Sequence, residues 1–277
     1  VFDSKEGVQP QSETVWRQAD KFGVARMCYF NKMNLIGADF YESLASVRKR
    51  LAPEATPIQL PIGKEGNLRG VVDLIRRKAF VYADSDGLVM KEEEIPEEMK
   101  EEAEKYRQEL IEKTVEIDEG LLNKFLADGI ISEEELIFAI RKATLAGKFF
   151  PVLAGDGRKV MVETILDAVL QFLPSPLDLP PVKGIDPKTG EIIERKVSDE
   201  EPFSALAFKI AADPFVGSLT FFRVYSGKLS RGSYVLNTST REKERIGRIL
   251  RMHANEREEV EEIYAGEIGA TIGLKNT

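Results

Sequence analysis

The chain has one cysteine, Cys28, and one histidine, His253, among its 277 residues. A lone cysteine excludes an internal disulfide and a cysteine-built zinc site. A lone histidine leaves little room for imidazole catalysis or a histidine-rich metal centre. No apolar run reaches the roughly eighteen residues of a membrane-crossing helix, so no membrane partner is expected. There is no basic-then-apolar leader, and the first residue is Val1 rather than Met. These features lead us to expect a cytoplasmic location and a chain cut from a longer one. Excess positive charge is also lacking: 39 Lys and Arg stand against 47 Asp and Glu, a net charge of −8. That balance excludes nucleic-acid binding by bulk charge neutralisation and leaves local basic patches or protein partners.

What is present divides the chain by texture. Pro10 to Phe22 has helical spacing, with Val15, Ala19 and Phe22 on one face. Val24 to Phe30 is a nearly continuous apolar run, as in a parallel strand buried on both faces. A helix over 38–51 is expected to bury Phe40, Leu44, Val47 and Leu51, and Thr56 to Ile62 reads as a strand. The texture changes at Gly63. Val71 to Tyr82 suits strands around a turn, and 97–117 suits a helix. Ser132 and Glu135 form a capping box opening a helix with Leu136, Ala139, Ile140 and Ala143 inward. Between 92 and 119 there are thirteen Asp and Glu against four Lys and Arg, the pattern of a solvated helix face.

The first texture resumes with a strand over Phe150 to Ala154, a Gly155-Asp156-Gly157 turn and a helix from Met161 to Phe172. Prolines at 174 and 176 stop that helix. Beyond Phe203, short strands alternate with glycine turns at Ser226-Gly227 and Arg231-Gly232, as in a small barrel. The expected organisation is an α/β domain from 1–62 and 149–175, an α+β insertion over 63–148, a linker over 176–202 and a β-barrel-like domain over 203–277.

Asn31-Lys32-Met33-Asn34 lies where the apolar strand ends, and ligands of open α/β sheets bind beyond such strand ends. The surrounding sequence makes this motif specific. Val8 to Ala19 resembles the stretch after switch II in elongation factor G, and Asn31 to Phe40 resembles that family's guanine-specificity segment. Leu173 to Pro181 resembles its junction between the first two domains. Asp213 to Gly217, Val224 to Gly227 and Leu250 to Asn255 resemble its second domain.

The resemblance covers the chain in order and implies a GTP-hydrolysing ribosomal translocase of the P-loop GTPase fold. It implies GTP or GDP with Mg²⁺ in the intact parent, and the ribosome as partner, with the insertion meeting the stalk protein of a monomeric factor. No tract reads G-x-x-x-x-G-K-[ST], the loop that cradles phosphates. The sheet is therefore expected to be an incomplete P-loop GTPase type, and no catalytic residue, metal ligand or tightly held nucleotide is expected in this chain.

By the same resemblance Asn31 bonds the purine and Lys32 lays its stem over the base. Asn34 stands where the family has Asp, whose carboxylate accepts two guanine N–H groups. Asp156 and Gly157 stand where the family has Ser and Ala. The Gly157 N–H is expected to meet guanine O6, while Asp156 adds negative charge near an anionic ligand. A basic group, Arg241, Lys243, Arg245, Arg248 and Arg251, is the expected ribosomal RNA contact, with 241, 243 and 245 on one strand face. The competing readings are a ribosome-binding paralogue that no longer hydrolyses GTP, and a ribosome-protection or release-factor GTPase of similar layout.

Overall fold

The computed structural model describes residues 1–82, 89–158, 161–213, 217–253 and 256–277. The chain divides into two compact units, Val1–Leu173 and Pro174–Thr277.

The first unit opens as an α/β alternation: β1 (Phe2–Asp3), α1 (Pro10–Lys21), β2 (Cys28–Asn31), α2 (Phe40–Arg50) and β3 (Ala55–Pro57). After the insertion come β8 (Phe150–Ala154) and α6 (Val162–Phe172). Among the described residues these strands form one four-stranded parallel sheet in the order β1-β2-β8-β3. Sheets of this kind are apolar on both faces, and Cys28, Phe30, Val152 and Leu153 are fully enclosed. Burial pushes the Cys28 thiol up to about 12, which suits an inert core residue.

Three expectations change here. The strand read over Val24 to Phe30 is confined to Cys28–Asn31. In α1 the stripe of Val15 and Phe22 faces outward, 52% and 72% exposed. Trp16 supplies the buried contact instead, with its ring 4.9 Å from Phe150 and the Arg26 guanidinium 4.4 Å above it. The indole meets both an aromatic edge and a cation, contacts that the stripe residues do not make. Finally, the strand read over Thr56 to Ile62 divides at Ile58. β3 belongs to the parallel sheet, whereas β4 (Gln59–Ile62) starts a second one.

That second sheet is antiparallel, in the order β4-β5-β6-β7, with β5 (Gly70–Asp73), β6 (Lys78–Tyr82) and β7 (Met90–Glu93). Three helices follow: α3 (Lys100–Val115), α4 (Glu119–Asp128) and α5 (Glu133–Leu145). The inserted sheet thus begins ahead of Gly63, and α4 was not read from the sequence. At α5 the Glu135 N–H donates to Ser132 Oγ at 3.3 Å and the Ser132 N–H to Glu135 Oε2 at 2.8 Å, the expected capping box. Among the described residues no helix is long and apolar enough to cross a membrane.

The second unit begins with a hairpin of β9 (Val182–Ile185) and β10 (Ile192–Arg195), so the 176–202 stretch carries regular structure rather than acting as a bare linker. A five-stranded antiparallel sheet follows, ordered β11-β12-β19-β16-β17. Its strands are β11 (Ser204–Asp213), β12 (Gly217–Ser226), β16 (Ile249–His253), β17 (Glu256–Val260) and β19 (Ile268–Ile272). Two short pairs accompany it: β13 (Leu229–Ser230) with β18 (Glu262–Ile263), and β14 (Tyr234–Asn237) with β15 (Glu242–Arg245). Phe222, Val224, Leu229, Ile249 and Ile263 pack its core. The resemblance segments around 213–217 and 254–255 fall partly outside the described residues: Pro214 to Val216, Ala254 and Asn255 are not among them.

Glu244 fastens the last residues of this unit. Its carboxylate accepts the Lys275 and Asn276 N–H groups, each at 3.0 Å, together with Asn237 Nδ2 at 2.9 Å and Thr277 Oγ1 at 2.6 Å. Burial works against the charge, but these four donors hold the carboxyl below its ordinary range. A depressed value means that the contribution is present above the unfolded-state pKa of about 4.3 and is lost as pH falls through the folded one. Glu244→Gln should therefore lower the urea midpoint at pH 7 and flatten its decline below about pH 4.3. Parallel midpoint curves for the two proteins would show that the carboxylate carries no such linkage.

Candidate functional site

β2 and β8 are neighbours in register, with Phe30 opposite Ala154, so the loops leaving their carboxyl ends lie side by side. Backbone bonds weld them together. The Gly155 N–H donates to Phe30 O at 3.0 Å and the Met33 N–H to Gly155 O at 3.1 Å. Asn31 completes the join: its Oδ1 accepts the Gly157 N–H and the Lys32 N–H, both at 2.8 Å. A Cβ built on Gly157 would lie 3.2 Å from Asn31 Oδ1, a tight contact that would shift the amide by a few tenths of an ångström. Phe30, Met33 and Phe40, along and beside the first loop in sequence, are buried in the core, with the rings of Phe30 and Phe40 5.5 Å apart.

Asn31, Lys32, Asn34, Asp156 and Gly157 thus lie in the two loops at the carboxyl ends of the central strands β2 and β8, with differing surroundings. Lys32 takes a left-handed backbone, φ 64°, and its Nζ lies 2.7 Å from Asp3 Oδ2. The Lys32 ammonium, helped by the Lys5 N–H, holds the Asp3 carboxyl below its usual range. Asp3 was not singled out in the sequence. Only the parallel pairing of β1 with β2 places it there, and no local signal could have shown it.

Asn34 is exposed, and among the described residues its amide has no hydrogen-bond partner. Asp156 is only 7% exposed, and its Oδ1 accepts the Arg158 N–H at 3.1 Å, so its charge turns into its own loop. Burial, then the Asp156 charge, push the enclosed Tyr29 hydroxyl above its normal range. The Gly157 N–H, expected on guanine O6, is engaged by Asn31 here.

The basic group divides differently from the sequence reading. β15 pairs with β14 so that Lys243 faces Leu236 and Arg245 faces Tyr234, and all four side chains are exposed. Glu244 between them points inward. Arg241 sits in the hairpin turn at φ 63°, and Arg248 is exposed between β15 and β16. Among the described residues, Arg241, Lys243, Arg245 and Arg248 form no ion pair. Arg251 differs, because Glu267 at 2.8 Å and Glu258 at 3.7 Å neutralise it. Four exposed cations without an ion pair therefore remain, of which Lys243 and Arg245 share a strand face, and Arg251 is ion-paired within the sheet.

Comparison with known proteins matches the chain to two family models and to solved structures. Residues 1–175 match the family model for the elongation factor Tu GTP binding domain. Residues 202–277 match the model for elongation factor G domain 2. A crystal structure from Thermus thermophilus matches with a TM-score of 0.76 at 28% identity, covering 100% of this chain and 40% of that one. The chain therefore spans well under half the length of that protein.

Proposed function

The chain belongs to the translational GTPases, and we propose that its residues serve guanine recognition and ribosome contact in a factor of the elongation factor G kind. Such a factor uses GTP to drive tRNA and mRNA through the ribosome. The observation that carries this reading is the 2.8 Å bond from the Gly157 N–H to Asn31 Oδ1, which joins two loops at the carboxyl ends of adjacent parallel strands.

In this reading Asn31 and Gly157 frame the base, Lys32 covers it and Asn34 faces its edge. Two features support this reading: the two loops are joined at the strand ends, and the exposed Asn34 amide has no partner among the described residues. Phosphate chemistry has no such support among these residues. No tract of the chain reads G-x-x-x-x-G-K-[ST], the loop that cradles phosphates. We assign the exposed Glu101, Glu104 and Glu112 of α3, with Glu116 at its C-cap, to a contact with the ribosomal stalk, and the Lys243–Arg245 face to ribosomal RNA. A second reading, a ribosome binder that does not hydrolyse GTP, is favoured by Asn34 and Asp156 standing where the family carries Asp and Ser.

Two measurements test the proposal. The purified 277-residue polypeptide should show no steady GTP turnover above a mock preparation, because it has no phosphate-cradling loop. The protein expressed from its complete gene should turn GTP over faster when ribosomes are added. Ribosome binding without turnover would decide for the second reading, and neither binding nor stimulation would overturn both.

A further inference from the structure

The second sheet is mounted firmly on the first. The Ile58 N–H donates to Val152 O at 3.0 Å, and Tyr82 Oη accepts the Met161 N–H at 3.1 Å. Its register, Ile62 opposite Gly70 and Gly70 opposite Val81, places the connection from β4 to β5 at the same end as Tyr82. That connection is tight. Gly63 has φ 81°, and a Cβ on it would fall 2.1 Å from Asn67 O, so only glycine fits.

Glu65 follows in this turn with φ 51°, a backbone that a non-glycine residue keeps only where its surroundings enforce it. Its N–H donates to Met33 O at 3.0 Å. Its Oε1 accepts the Gly37 N–H at 2.8 Å. One residue of the insertion therefore grips the first base loop on both sides of Asn34, by main chain before it and by carboxylate after it. The loop's own bonds, Leu35 N–H to Lys32 O and Ala38 N–H to Leu35 O, leave the Gly37 donor to Glu65.

We propose that Glu65 is a positioning residue for base recognition: it fixes the turn from Met33 to Gly37 so that the Asn34 amide meets the base from one conformation. This rests on the reading of the 31–34 loop as a base site. Discrimination by a polar group depends on its being held to within a fraction of an ångström, and Asn34 has no partner of its own among the described residues to hold it. The inserted sheet then contributes to nucleotide choice without touching the nucleotide.

The test uses Glu65→Gly, which suits the left-handed backbone and removes the whole side chain while keeping the main-chain N–H to Met33 O, and Glu65→Gln, which keeps the side chain and an acceptor. In the 277-residue chain, exchange of the Gly37 amide should accelerate in Glu65→Gly and stay near wild type in Glu65→Gln. GDP and xanthosine diphosphate are then titrated against the protein expressed from its complete gene. Glu65→Gly should weaken the preferred nucleotide about tenfold and move the GDP-to-XDP ratio toward one, while Glu65→Gln stays within about twofold of wild type. Pyrophosphate affinity should not change, since a merely unfolded variant would lose that too. Asn31→Ala is the control. If it weakens both nucleotides while Glu65→Gly leaves affinity and ratio intact, Glu65 is not a positioning residue and the base site stands. If Asn31→Ala has no effect, the base-site reading fails and this inference with it. An unchanged Gly37 exchange rate in Glu65→Gly would overturn the brace directly.

Discussion

Asn34→Asp, in the protein expressed from its complete gene, should tighten GDP about tenfold to a hundredfold and weaken xanthosine diphosphate by a comparable factor. A carboxylate accepts both guanine N–H groups on the edge it faces. The amide accepts one and opposes the other with a donor, which suits the 2-carbonyl of xanthine better. Stranding one polar group in a dry site costs about 1–3 kcal/mol, and discrimination grows from such stranded partners. The geometry keeps this simple, because Asn34 has no intramolecular partner among the described residues to lose. Titrating both nucleotides against both proteins gives the answer. A GDP-to-XDP ratio that ignores the substitution would mean that Asn34 does not touch the base.

Arg107→Ala should destabilise the first unit by about 3 kcal/mol. Arg107 is 9% exposed, with its Nη1 donating to Leu74 O and to Ile75 O, the latter at 3.0 Å. It ties α3 to the turn between β5 and β6. Burial, then the nearby Arg77 charge, pull the guanidinium below its usual range, and Glu104, Asp73 and Glu133 offset this. Alanine removes the apolar stem and leaves two carbonyls short of a donor, at about 1–3 kcal/mol for each buried group left unmade. Arg107→Met restores the stem alone and should recover less than half of the loss. Trp16, the only tryptophan, reports urea unfolding of this unit. A midpoint for Arg107→Ala equivalent to within about 0.5 kcal/mol of wild type would mean that the carbonyls find water, as at an ordinary surface position.

The elements that were legible in the sequence share a physical cause: their signal is local. The α5 capping box needs only Ser132 and Glu135 three positions apart, and both bonds form. β8 announces itself through Phe150 to Ala154, because a strand covered on both faces must be apolar throughout. α2 buries Phe40, Leu44 and Val47 as their spacing requires. Failures came where a neighbour distant in sequence decided. Val15 and Phe22 have the spacing of a buried stripe, yet Trp16 won because Phe150 and Arg26 converge on it. Thr56 to Ile62 looks like one strand, and its division at Ile58 depends on which partner, β8 or β5, each half finds.

The candidate site follows the same rule. Sequence alone determined that Asn31 to Asn34 end a buried strand, that Gly155 to Gly157 follow another, and that these motifs resemble guanine-binding loops, since residue identity and strand polarity are local properties. Tertiary structure alone decided that Asn31 reaches Gly157, that Asp3 holds Lys32, that Asp156 turns inward, that Arg251 is neutralised and that Glu65 brackets Asn34. Each of these is a hydrogen bond or ion pair between groups far apart in sequence or turned by local backbone geometry. Such bonds act over about 3 Å and carry no periodicity, so only the folded chain brings their partners within reach.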